Sequence, residues 1–139
     1  MLIDSLLFAD KTPLVLRKAL DFQSERQLLI SSNISNIDTP GYLARDNDFN
    51  GALRAALGTS DSLAMRTTHK DHIGPGKDDI RGLQAKIFIE PDAAKSNGNN
   101  VNMDKEMMKL AANQISYNAN VQMFSKRHST LIAAITENA

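Results

Sequence analysis

The sequence predicts a mainly α protein: two long amphipathic terminal helices that pair as a coiled coil, with a turn-rich, partly extended middle segment between them. Three observations lead there. Apolar residues return at three- and four-residue steps near both ends of the chain, which is the period of a helix face. Glycine, proline and asparagine clusters break up the middle. The apolar supply, 42% of residues, is mostly aliphatic and Met, with aromatics at 5% and no Trp, a diet that suits helices better than a β-sandwich. The 139 residues fit one modest domain. They divide into an N-terminal helical segment (1–57), a variable middle (58–100) and a long C-terminal helix (101–139), the terminal helices together forming one α domain.

Thr12-Pro13 marks the first helix start, a capping hydroxyl followed by a ring whose fixed φ suits the first helical position. Behind it Leu16, Leu20, Ile30, Ile34 and Ile37 form the packing seam, widened by Val15, Ala19, Phe22 and Leu29. The helix is expected to run to about Ile37. Asp38-Thr39-Pro40-Gly41 then stops it, because a residue before proline is pushed out of the α region and Pro-Gly fits the centre of a type II turn.

From Arg45 to Leu57 a weaker amphipathic piece carrying Phe49, Leu53 and Leu57 predicts a short helix. Residues 58–100 read as turn-rich and poorly packed, punctuated by Gly58, Gly74-Pro75-Gly76, Gly82 and Asn97-Gly98-Asn99-Asn100, with one short strand at 86–90. Asn102 then offers a cap, and Asp104 and Glu106 place negative charge in the first turn of a second long helix, where its macrodipole favours it. The seam of that helix is Met107, Leu110, Tyr117, Val121, Phe124, Leu131 and Ile135. At 1.5 Å per residue it would span about 45–50 Å, more than a small domain needs to cover its own core. One pair of helices lacks a third layer, so further contacts are expected from other subunits.

Several function classes lose ground on composition alone. Lys+Arg and Asp+Glu both number 16, so the long-range field that draws a protein to nucleic acid or anionic lipid is missing. No nucleic-acid partner and no direct membrane insertion are expected. With no Cys there is no disulfide framework and no thiolate metal site. Asp4 and Asp10 interrupt the apolar N-terminus and no basic residue precedes it, so no cleavable secretory signal is expected. Neither a nucleophile elbow nor a phosphate-cradling glycine loop occurs; catalytic residues and cofactors are expected to be absent. His69 and His72 stand three apart with Asp71 and Asp61 nearby, a pattern a metal-dependent hydrolase could use, but no third ligand has a recognisable spacing and an exposed, metal-free loop is the expectation.

The stretch Ser32-Asn33-Ile34-Ser35-Asn36-Ile37-Asp38-Thr39-Pro40-Gly41-Tyr42 resembles the signature of the rod, hook and hook-associated axial proteins of the bacterial flagellum, approximately Asn-Asn-Ile-Ala-Asn-x-x-Thr-Pro-Gly-Tyr. Ser32 and Ser35 depart from it with small replacements. Gly98-Asn99-Asn100-Val101-Asn102-Met103-Asp104-Lys105-Glu106-Met107 and Asn113-Gln114-Ile115-Ser116-Tyr117 are similar to the C-terminal segment of a proximal rod member. The resemblance implies a structural subunit, exported through the flagellar type III apparatus to the periplasmic rod of the basal body. Its terminal helices would polymerise with copies of itself and other rod proteins, carry torque and line the export channel. It also implies the rod-base adaptor, the export gate and the membrane-ring proteins as neighbours. Asn33 and Asn36 would then sit at packed helix contacts, Thr39, Pro40 and Gly41 would build the turn, and Tyr42 would anchor the chain leaving it. The alternative is a soluble helical adaptor or type III export chaperone that binds one client.

Overall fold

The computed structural model describes residues 12–56 and 80–136, so His69, Asp71, His72 and Asp61 lie outside the described residues. Helix α1 spans Thr12–Ser35, strand β1 Arg45–Asn47, helix α2 Phe49–Ala56, strand β2 Ile87–Ile89 and helix α3 Met103–Thr136. The two long helices stand where the periodicity puts them. α1 ends two residues before Ile37 because its last turn tightens: the amides of Asn36 and Ile37 reach the carbonyls of Asn33 and Ile34, three residues back, at 3.2 and 3.3 Å.

The helix expected over Arg45–Leu57 is a strand followed by a shorter helix. Arg45–Asn47 pair antiparallel with Ile87–Ile89, in the register Arg45↔Ile89, Asp46↔Phe88, Asn47↔Ile87. Pairing across the sheet overrides a weak local helical pattern. Asp48 then starts α2, its Oδ1 accepting the Gly51 amide at 2.8 Å as an N-cap does. Phe49 at the head of α2 lies over α1, its ring 4.8 Å from that of Phe22.

α1 and α3 run antiparallel. Asn33 near the end of α1 meets Glu106 at the start of α3, while Gln23 meets Asn113 and Asn120 further along it. Glu106, Asn113 and Asn120 recur every seven residues and form the row that faces α1. The Asn113 amide donates to Gln23 O at 2.9 Å and to Gln27 Oε1 at 3.0 Å; Asn120 donates to Gln23 Oε1 at 3.1 Å.

Within one chain, then, a row of polar side chains on α3 supplies the hydrogen bonds between the long helices. Ile30 of the expected seam is buried, and Leu16, Leu20, Ile34, Ile37, Leu110 and Leu131 are half-buried. Met107, Tyr117, Val121 and Phe124 remain 49%, 37%, 42% and 39% exposed. The side chain of Ile135 lies outside the described residues. The described interior has the same character: Ala19, Phe22, Ile30, Ala44, Ile80 and Val101 are its buried apolar residues, against Asn33, Asp46, Asn47, Glu90, Asn99, Asn100, Glu106 and Asn113. Ile80, Glu90, Asn99 and Asn100 belong to the stretch read as poorly packed, and their burial corrects that reading for residues 80–100.

Replacing Asn113 by Ala leaves Gln23 O and Gln27 Oε1 without their shared donor. A loss of about 1–3 kcal/mol is expected, measured as a lower urea midpoint by circular dichroism, whereas Asn118→Ala on the exposed side of α3 should leave the midpoint nearly unchanged.

Candidate functional site

Asn33 is fully buried at the end of α1 and its carboxamide is fully bonded. Its Nδ2 donates to Arg45 O at 2.8 Å and to Glu106 Oε2 at 2.9 Å. Its Oδ1 accepts the Arg45 amide at 3.0 Å and the Tyr42 hydroxyl at 3.2 Å. With the single Tyr42 proton directed to Asn33, the Ser32 hydroxyl 3.1 Å away donates to Tyr42 in turn. One side chain therefore ties α1 to the start of β1, to the segment leaving the turn and to α3.

The turn itself is built locally and then clamped from a distance. Asn36 Nδ2 donates back to Ser32 O at 2.8 Å, and the Thr39 hydroxyl donates to Asn36 Oδ1 at 3.1 Å. Pro40 is exposed, and Gly41 adopts φ 72°, a left-handed conformation that costs glycine little. Against this turn lies a second one, Lys95–Gly98, closed by the Gly98 amide on Lys95 O and with Gly98 at φ 79°. The Gly41 amide donates to Asn97 O at 3.0 Å, and the Asn99 carboxamide donates to Asn36 O at 2.9 Å and Thr39 O at 2.8 Å. A Cβ on Gly98 would come 3.4 Å from the Gly41 Cα, so the two turns approach through two glycines. Asn100 extends the junction to the sheet, its Oδ1 accepting the Ala44 amide at 2.6 Å and its Nδ2 donating to Glu90 O at 2.9 Å.

Beside the junction runs a chain of charges whose buried members are Asp46, Glu90 and Glu106. Arg26 grips Asp46 through two parallel bonds of 2.7 and 2.6 Å, a bidentate geometry that strengthens such pairs. Lys109 is bonded to Glu90, lies 2.9 Å from Glu106 and 3.8 Å from Asp46, and Lys105 bridges Glu90 at 2.9 Å and Asp92. Burial raises the Glu106 carboxyl above its ordinary value, opposed by the hydrogen bond from Asn33. Burial also pushes Asp46 up, but the bonds from Arg26 and the Asn47 amide, with the charges of Arg26 and Lys109, together bring it below its ordinary value. Burial lowers Lys109, although Asp46 partly restores it.

The structure thus brings Asn33, Asn36, Thr39, Gly41 and Tyr42 of the sequence motif into one junction, with Pro40 at its exposed corner. Sequence reasoning missed the groups that complete it: Asn99, Asn100, Glu90, Asp46, Arg26 and Lys109. A usable signal is the seven-residue spacing of Glu106, Asn113 and Asn120. Among the described residues no helix is long and apolar enough to cross a membrane.

An antiparallel helix pair latched at one end by two packed turns, with Met107, Tyr117, Val121 and Phe124 exposed along α3, has the form of a helical structural subunit. Comparison with known proteins agrees. The family model for flagella basal body rod protein matches residues 14–42, all of α1 but its first two residues together with the motif turn. The flagellar basal body rod protein FlgB of Cereibacter sphaeroides is 35% identical over 118 residues, covering 85% of this chain and 88% of the relative. The Bacillus subtilis FlgB is 31% identical over 121 residues, 87% of this chain and 90% of the relative, and the Salmonella typhimurium FlgB is 33% identical over 105 residues, 73% and 75%. The chain belongs to the FlgB family of flagellar basal body rod proteins.

Two expected outcomes follow from the junction. Asn33→Ala leaves buried Glu106 Oε2 without its Asn33 donor and removes the side-chain partner of both Arg45 backbone groups, so a cost of about 3 kcal/mol is expected; Asn36→Ala, half-buried and bonded mostly within its own turn, should cost less in the same urea titration. For Glu106, a folded value above the ordinary 4.5 means the native state takes up the proton first, so its contribution to stability is full below 4.5 and is lost as pH rises through the folded value. The advantage of the wild type over Glu106→Gln should therefore be larger at pH 4.5 than at pH 7. Asp46 acts oppositely and lower: its contribution is present above 3.8 and fails as pH falls through its depressed folded value.

Proposed function

We propose that the chain is a structural subunit of the proximal rod of the flagellar basal body, polymerising through its terminal helices so that the assembled rod transmits torque and lines the export channel. The observation that carries this reading is the inverted distribution of polarity. The hydrogen bonds between α1 and α3 run through Asn33, Glu106, Asn113 and Asn120, while Met107, Tyr117, Val121 and Phe124 stand exposed on α3. Apolar side chains of this size on one helix gain most when neighbouring helices cover them.

In this reading the seam residues Leu16, Leu20, Ile30, Ile34 and Ile37 of α1, and Met107, Leu110, Tyr117, Val121, Phe124, Leu131 and Ile135 of α3, pack between subunits as well as within one. The motif turn fixes the angle at which the chain leaves the tube of helices. Other rod proteins, the rod-base adaptor, the export gate and the membrane ring are the neighbours. The long helices form one α domain.

The turn supplies the test. A Cβ at position 41 would meet nothing within 4 Å, so a substitution there acts through the backbone alone. Forcing a side chain into the left-handed region costs about 1–3 kcal/mol, and a β-branched residue tolerates it worst. Cells whose sole copy carries Gly41→Val should yield basal bodies without rods and fail to swim, while the purified variant keeps the helical circular dichroism of the wild type. Rods and swimming in cells that lack the protein altogether would refute the proposed function.

A further inference from the structure

We propose that Asn97-Gly98 is a modification site guarded by the junction: the Asn97 carboxamide cyclises onto the Gly98 nitrogen, and is lost, unless the motif turn is latched against it. Two Asn-Gly pairs occur among the described residues, Asn50-Gly51 in α2 and Asn97-Gly98 in the turn that faces Gly41. A glycine after asparagine presents a backbone nitrogen that no Cβ shields. Asn97 and Gly98 are both exposed, so water reaches them.

The reaction needs water and no oxidant or reductant. The Gly98 nitrogen gives up its proton and bonds to Asn97 Cγ, while the Cγ–Nδ2 bond breaks and Nδ2 leaves as ammonia with that proton. A succinimide ring remains. Water then opens the ring at either carbonyl. Attack at Cγ leaves aspartate; attack at the main-chain carbonyl leaves isoaspartate, whose backbone runs through the former side chain.

Hydrogen bonds on every side oppose the first step. The Gly98 N–H donates to Lys95 O at 2.9 Å, the Asn97 carbonyl accepts the Gly41 amide at 3.0 Å, and Asn97 Oδ1 accepts the Asn99 amide at 3.1 Å. With its proton gone, the attacking electron pair lies where the N–H bond was, aimed at Lys95 O and away from Cγ. The Asn97 carbonyl and the Gly98 nitrogen share one rigid peptide plane, so turning the nitrogen toward Cγ also pulls Asn97 O off Gly41. Two of these bonds are local to the turn. The third comes from the motif turn, and the Asn99 carboxamide strengthens the same clamp by holding Asn36 O and Thr39 O. A chain that waits unlatched is therefore marked irreversibly, since isoaspartate adds a main-chain carbon and displaces the carbonyl that Gly41 bonds.

Asn50-Gly51 supplies the internal comparison, because its guard is local: the Gly51 amide donates to Asp48 Oδ1 at 2.8 Å at the start of α2. The purified full-length chain is held at mildly alkaline pH, and conversion of amide to acid at each pair is followed by peptide mapping with mass spectrometry. Wild type in buffer should convert Asn97 at least about tenfold more slowly than wild type in urea, because only the locally open fraction reacts. Gly41→Val and Asn99→Ala keep the dipeptide and release the clamp from either side; each should bring Asn97 in buffer close to its rate in urea, with Asn50 unchanged. A wild type that converts Asn97 as fast in buffer as in urea overturns the inference. So does either variant, with Asn50 unchanged, at the wild-type rate. A variant in which Asn50 accelerates as well has unfolded, and the other variant decides; acceleration of Asn50 in both overturns the inference, since the guard is then the whole fold and not the latch.

Discussion

The Asn33 carboxamide can reach Glu106 only while α1 and α3 lie antiparallel with their junction ends level. That one contact sets the register of the chain. The same amide grips both backbone groups of Arg45, so the start of β1 is placed at the same time, and through β1 the buried carboxylate of Asp46 is brought to Arg26. Each later contact depends on the earlier one being made. A fully bonded buried amide favours one arrangement over its neighbours, because a shifted register would leave several polar groups unpaired inside the protein.

Polar contacts of this kind specify a structure more than they stabilise it. Moving Asp46, Glu90 and Glu106 out of water is costly, and Arg26, Lys105 and Lys109 recover that cost only with good geometry. Meanwhile Met108, Ile115 and Met123 of α3 and Leu28 of α1 contribute little to the fold of one chain, being more than half exposed. A subunit that defines its shape with amides and ion pairs, and leaves its apolar side chains outside, has its hydrophobic gain still to make when copies meet. The fold and the proposed assembly are thereby separated: the polar interior orients the helices, and the apolar exterior holds subunits together.

The interlocked turns explain why two glycines stand far apart in the chain yet face each other. Gly41 and Gly98 both have positive φ, and the close approach of their backbones lets the Asn99 amide reach the carbonyls of Asn36 and Thr39. The helix end is thus capped by a residue more than sixty positions away, and the two halves of the chain are latched where α1 stops.

The sequence by itself determined the two long helices, the stop at Asp38-Thr39-Pro40-Gly41 and the strand near 86–90, because each is written in local chemistry: apolar spacing, a proline that forbids the α region before it, and a run of β-formers. The motif from Asn33 to Tyr42 was legible for the same reason. Tertiary structure alone decided that Arg45–Asn47 pair as a strand, that Asn99 and Asn100 clamp the motif turn, and that Glu106, Asn113 and Asn120, not the apolar row beside them, face α1. Helical period shows which residues share a face but not which face turns inward. That choice was made by the partners a buried amide or carboxylate must find, and those partners lie up to 97 residues away in the chain.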